Sequence, residues 1–140
     1  MTYFKDLNAI HVGFWNWPHF TPKEIACKES GDLLVVPEFL DKLESLRVQC
    51  GFPFPVTSWF RTPDYNAKIS NTGKTGPHTT GRAVDINVFG ISALSLLEKA
   101  VRSGFTGIGI KQTGPTSSRF IHLDDLSASD NQPRPWIWTY

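Results

Sequence analysis

The sequence predicts an α+β domain with a mostly antiparallel central sheet, helices before and between its strands, and a single cleft. Three observations lead there. Helical periodicity with proper start and stop signals covers residues 37–49 and 92–102. Short alternating runs, "RAVDINVF", "FTGIGI" and "RFIHLDD", read as strands. The apolar content, 40% of 140 residues, fits one domain able to bury a core.

The elements follow in order. Residues 1–20 read as an irregular, aromatic-rich segment folded onto the core through Phe14, Trp15, Trp17 and Phe20. "TPKE" starts a helix: Thr21 caps it, Pro22 suits the first position, and Glu24 completes a capping box. Residues 37–49 form a second helix with Phe39, Leu40, Leu43 and Leu46 at helical spacing, stopped by Gly51. A strand is expected over 54–60, and Thr62 with Pro63 repeats the capping logic for a short helix. "SNTGKTGP" is a loop. In "RAVDINVF", Val84, Ile86 and Val88 share an apolar face, so Ala83, Asp85 and Asn87 share the other and turn Asp85 toward a cleft. A helix over 92–102 is expected to bury Leu94, Leu97 and Val101, and the tail "PRPWIWTY" to pack against the sheet. Trp15, Trp17, Trp136 and Trp138 are expected in the core, with a sugar-stacking surface as the alternative.

Charge and cysteine content narrow the partners. Fourteen basic and 13 acidic residues leave a net charge of +1, which gives no broad basic face for nucleic acid. No apolar run has membrane-spanning length, and the N-terminus lacks the pattern of a signal peptide. The chain is therefore expected to be made in the cytoplasm and to act as a monomer. Cys27 and Cys50 are expected to stay reduced rather than pair.

The chemistry concentrates in "GPHTTGRAVDI", residues 76–86. His78 stands just before a strand that carries Asp85, and Gly81 allows a tight bend between them. His122 lies on a later strand. Two imidazoles and one carboxylate make a donor set suited to Zn²⁺ with an open fourth position. Taken singly, the same residues also read as a loop histidine, a salt-bridged aspartate and a half-buried histidine.

"HTTGRAVDI" resembles the H-x-x-G-x-A-x-D motif of the zinc D-alanyl-D-alanine carboxypeptidase and phage endolysin peptidase family. "RFIHLDD" resembles that family's second motif, a hydrophobic strand ending in H-x-D, and "VTSWFRTPDYNAKI" resembles its arginine-bearing segment. The resemblance implies one Zn²⁺ held by His78, Asp85 and His122, and Arg61 as the group that binds a substrate carboxylate or carbonyl. It implies metal-assisted hydrolysis of an amide in the peptide stem of peptidoglycan, at D-Ala-D-Ala or L-Ala-D-Glu. Ser58 and Asn66 are expected to hold the Arg61 turn. Without a signal peptide, the host cytoplasm is the expected site of synthesis. The wall is then met after release, as by an endolysin, or from within a virion.

Two positions depart from the family pattern. Gly76 stands where a serine is usual, with Thr75 as the expected substitute hydroxyl. Arg119 stands where many members carry a catalytic acid. Asp124 is then either the general base or the group that orients His122. The alternative to an enzyme is a catalytically impaired, zinc-stabilised wall-binding or phage-tail module.

Overall fold

Alternation along the strands builds the sheet, because each has one face for the core and one for a cleft. In the computed structural model, which describes residues 1–130 and 132–140, five strands make the central sheet in the order β3-β4-β6-β5-β7. These are β3 (Val56–Ser58), β4 (Ala83–Ile86), β5 (Gly107–Lys111), β6 (Phe120–Asp124) and β7 (Trp136–Thr139). All neighbours are antiparallel except β5 and β7, which run parallel. The mixed α+β class is as the sequence predicts. A second sheet pairs β1 (Thr2–Phe4) with β2 (Leu33–Val35), so the N-terminal segment is less irregular than expected.

The core lies on one face of the central sheet. Val84, Ile86, Ile108, Ile121 and Leu123 point there, all buried. They meet helices α2 (Pro37–Cys50) and α4 (Gly90–Arg102), which also pack on each other. Helix α2 buries Phe39, Leu40, Leu43 and Leu46 and stops at Gly51, whose φ of 72° suits glycine. Helix α4 corrects an expectation: it buries Ala93, Leu96 and Ala100, while Leu94 and Val101 are exposed. Small alanines let α4 lie close, so the bulkier face turns outward. Strand β3 is also shorter than the expected 54–60, because Trp59 and Phe60 leave the ladder to join the aromatic core around Phe20 and Phe39.

The two short helices behave as their sequences predict. In α1 (Pro22–Ile25) Thr21 and Glu24 form the reciprocal capping box. In α3 (Pro63–Ile69) the Thr62 hydroxyl accepts the Tyr65 N–H. Trp17 and Phe20 are buried, and Phe4, Phe14 and Trp15 pack partly against the core. Cys27 and Cys50 are both free thiols. No helix among the described residues is long and apolar enough to cross a membrane.

Candidate metal centre

Strand register assembles the site on the sheet's other face. Ser58 pairs with Asp85, Asp85 with His122, His122 with Gly109, and Gly109 with Trp138. These residues form one row across all five strands. The next row holds Ala83, Asp124, Gly107 and Trp136. Asp85 and His122 are thus neighbours by register alone. His78 reaches them from a 3-10 turn, Pro77–Thr80, that ends at Gly81 with a φ of 73°. A side chain at that angle is strained, and Cβ would also meet Leu34 and Val36 at 3.1 Å.

The three side chains converge as a ligand group must. One donor atom from each of His78, Asp85 and His122 lies within 4.8 Å of the others, and all three are buried. The imidazole centroids are 5.0 Å apart. His78 Nδ1 contacts the Trp59 carbonyl at 2.6 Å, which makes that nitrogen the donor and leaves the Nε2 lone pair facing Asp85 at 3.3 Å. His122 is used the other way round. Its Nε2 contacts Asp124 at 2.8 Å, and its Nδ1 faces Asp85 at 2.9 Å. Each ring is oriented from behind by an oxygen and offers its other nitrogen inward, the usual arrangement of metal-binding histidines. The donor set, two imidazoles and a carboxylate in a buried pocket, fits zinc.

Ionisation follows from these contacts. Burial dominates His78 and lowers its pKa. Burial also works against charge on His122, but hydrogen bonds to Asp124 and Asp85 prevail and raise its pKa. The contrast has a plain cause: His78 leans on a neutral carbonyl, whereas His122 stands between two carboxylates. Burial alone would raise the Asp85 carboxyl; the two histidines hold it well below the ordinary carboxylate range. Asp124 is likewise opposed by burial and brought down to about 2 by His122 and Arg134.

Asp124 is fully buried, on the side of the His122 ring away from Asp85. Arg134 donates to both of its oxygens, Nε at 2.8 Å and Nη2 at 2.7 Å. Arg61 lies at the rim. Its Nε donates to Ser58 at 3.0 Å and its Nη1 to Asn66 at 3.1 Å, as expected of those residues. Its Nη2 stands 3.6 Å from Asp85. The Arg61 backbone N–H donates to the His78 carbonyl, which ties the two loops together. Arg119 turns away and donates to the Gly114 carbonyl. Asp125 faces out of the row and binds Arg82 and Lys42.

The cleft in front of the group has a volume of about 520 Å³. Asp85 is the sole acidic side chain among its described lining residues. Trp136, Trp138 and Tyr140 form one wall, which corrects the core placement expected for the two tryptophans; Trp136 is 54% exposed. Alternation on β7 turns Trp136 and Trp138 to the cleft side, and Tyr140 follows the strand's end. The hydroxyl that meets the Gly76 side-chain position is that of Thr72, which bonds Asn66 and Ser70. A Cβ at Gly76 would fall 2.1 Å from Thr72 Oγ1, so this hydroxyl fills the space a residue-76 side chain would take.

Arg134 and the two glycines of β5 escaped the sequence reading. A Cβ on Gly107 would lie 2.2 Å from Asp124 Oδ1, and one on Gly109 would lie 2.6 Å from Trp138 Nε1. Glycine is needed at both positions for close approach. Alternate glycines in a strand are a signal for this, but nothing near Arg134 in the chain announces its partner.

A comparison with curated proteins and one with solved structures each returned no match. A family model, described as peptidase M15, matches residues 18–124. That span carries His78, Asp85, His122, Arg61 and Asp124 and ends ten residues short of Arg134. The chain belongs to the peptidase M15 family of zinc peptidases, which are D-Ala-D-Ala carboxypeptidase-like.

Proposed function

We propose that the protein hydrolyses an amide bond in the peptide stem of bacterial peptidoglycan, either D-Ala-D-Ala or L-Ala-D-Glu. The observation that carries this reading is the convergence of His78, Asp85 and His122 at the floor of a cleft rimmed by Arg61. The stem substrate, and a setting as an endolysin or virion-associated wall hydrolase, rest on the resemblance of the motifs.

His78, Asp85 and His122 would hold zinc. When bound there, zinc supplies Lewis-acid polarisation of a carbonyl and activation of water near neutral pH. The other residues position. The Trp59 carbonyl and the Asp124 carboxylate fix the two imidazoles, and Arg134 fixes Asp124. Ser58 and Asn66 hold two guanidinium nitrogens of Arg61; the third, Nη2, stands 3.6 Å from Asp85 and is the one that would meet a substrate carboxylate or carbonyl. Asp124 is assigned here to orienting His122 rather than to proton transfer. Its burial, its contact with the outer nitrogen of the ring, and its two bonds from Arg134 support that assignment.

One observation favours a second reading. With Asp124 behind the ring and Arg119 turned away, the described cleft residues include no side-chain carboxylate besides Asp85. A zinc-stabilised module that binds wall peptides without cutting them would have this arrangement. Mass spectrometry of defined muropeptides after incubation with zinc-loaded protein separates the two. New fragments that a chelator abolishes support the peptidase. Zinc binding with no fragment from any stem length supports the binding module.

A further inference from the structure

The β7 wall of the cleft exposes more aromatic surface than a metal site needs. Trp136 and Trp138 stand on one face of the strand, paired with Gly107 and Gly109. Trp138 is held in place: its ring lies 5.0 Å from the His122 imidazole and 6.4 Å from the Tyr140 ring, and the Arg134 guanidinium carbon lies 5.5 Å from its centroid. The Tyr140 ring in turn rests on Phe120 at 4.9 Å. Trp136 is not covered. It lines the cleft 54% exposed, and its indole N–H meets no acceptor among the described residues. Exposed aromatic surface inside a cleft marks a face for a ligand.

The chemistry of the stem limits what that ligand group can be. Its side chains are methyls, a carboxylate chain and an amine-ended chain, and none is flat enough to cover an indole. The flat ring attached to the stem is the pyranose of the N-acetylmuramyl group that carries it. Aromatic rings pack on the C–H face of a pyranose. The Trp136 N–H and the side-chain amides of Asn71 and Gln132, which also line the cleft, suit its hydroxyl and acetamide groups.

Reach then selects the bond. Strand rise places Trp136 about 7 Å from Trp138, whose ring packs on a metal-binding histidine. The wall therefore ends within about 12 Å of the His122 ring. In an extended stem the L-Ala–D-Glu carbonyl is one residue from the muramyl group, about 3.5 Å of chain. The D-Ala–D-Ala carbonyl is four residues away, about 14 Å before the lactyl link adds its own length. The nearer bond leaves the sugar over the wall, and the farther one carries it past the wall's end.

We propose that the β7 wall, Trp136 foremost, is a subsite for the N-acetylmuramyl sugar, and that the bond cut is L-Ala–D-Glu. The proposal rests on the peptidase reading above. Water adds across that C–N bond, leaving a muramyl-L-Ala carboxylate and the free amine of D-Glu. Trp136 lies beyond the stretch matched by the family model.

The test sets the zinc-loaded protein and its Trp136→Ala variant against two ligands, N-acetylmuramyl pentapeptide and the same pentapeptide carrying only an N-terminal lactyl group. Mass spectrometry locates the cut, and kcat/KM is compared between ligands within each protein, so a general loss of folded protein cancels. The expected result is cleavage between L-Ala and D-Glu, with kcat/KM at least about tenfold higher when the sugar is present and that ratio falling toward one in Trp136→Ala. Cleavage at D-Ala–D-Ala alone, equal kcat/KM on the two ligands, or a ratio that persists in the variant overturns the proposal. A parent protein that cuts neither ligand overturns the peptidase reading, and calorimetry then decides the wall. Tighter binding of the muramyl peptide that is lost in Trp136→Ala sustains the sugar subsite, and equal binding of the two ligands refutes it.

Discussion

Arg134 grips both oxygens of Asp124, at 2.8 and 2.7 Å, and Asp124 in turn holds the outer nitrogen of His122 at 2.8 Å. Arg134 comes from the C-terminal segment and His122 from the centre of the sheet. The tail is thereby part of the metal centre, and the imidazole cannot rotate without losing its buried bond to Asp124.

Asp124→Asn should therefore keep the fold and weaken zinc binding about 10–100-fold, the usual effect of losing the group that orients a metal-binding histidine. Arg134→Met should act in the same direction and also destabilise the protein by about 3–5 kcal/mol, because it strands a buried carboxylate. Competition with a chromophoric chelator and thermal unfolding measure the two effects. Parent-like zinc affinity in Asp124→Asn would remove the orienting role.

Zinc binding should release protons, because the metal displaces the proton that His122 holds. His122 has a raised pKa, so the metal-free protein keeps its proton to higher pH than a free histidine does. His78 has a lowered pKa and is already neutral. Zinc takes only the neutral ring. Affinity must then fall as pH drops through the raised His122 pKa and level off above it. Calorimetric titrations in two buffers of different ionisation enthalpy count the protons. A count near zero, with affinity flat from pH 6 to 8, goes against the arrangement.

The two glycines of β5 should respond differently to alanine. At Gly107 the new methyl meets the fully buried Asp124 carboxylate at 2.2–2.4 Å. Gly107→Ala should cost about 1–3 kcal/mol and weaken zinc binding with it. At Gly109 the methyl meets the Trp138 indole at 2.6–2.9 Å, at the cleft wall where a side chain can swing aside. Gly109→Ala should leave zinc binding intact and lower turnover. Equal effects of the two changes would mean that the clash argument misidentifies what each glycine makes room for.

Arg61→Ala should leave zinc content unchanged and reduce kcat/KM by at least about tenfold, chiefly through KM if Arg61 binds a terminal carboxylate. Arg61→Lys should not restore it, since Ser58 and Asn66 engage two nitrogens of a planar fork that an ammonium cannot present. Steady-state kinetics on stem peptides with free and amidated termini check both statements.

Much of this site is legible in the chain because it is encoded locally. The spacing of His78, Gly81 and Asp85 sets a bend and a strand face, and the alternation of "RFIHLDD" places His122 and Asp124 on a common face. Helix caps at Thr21 and Thr62 and the stop at Gly51 are written within four residues of where they act. The rest depends on long-range choices. Helix α4 has two apolar faces, and only packing against α2 decides that Ala93, Leu96 and Ala100 go inside. Trp136 and Trp138 look like core residues until β7 adds in parallel at the sheet edge and turns them to the cleft. The partnership of Arg134 with Asp124 follows from that same edge pairing, which no local pattern specifies.

The most direct measurement is a zinc titration of the metal-free protein and of its His78→Ala and His122→Ala variants, read by metal analysis after equilibrium dialysis. The account predicts one zinc per chain in the parent and loss of that stoichiometric binding in each variant. Binding that survives in both variants, or a parent that retains no zinc, would contradict it.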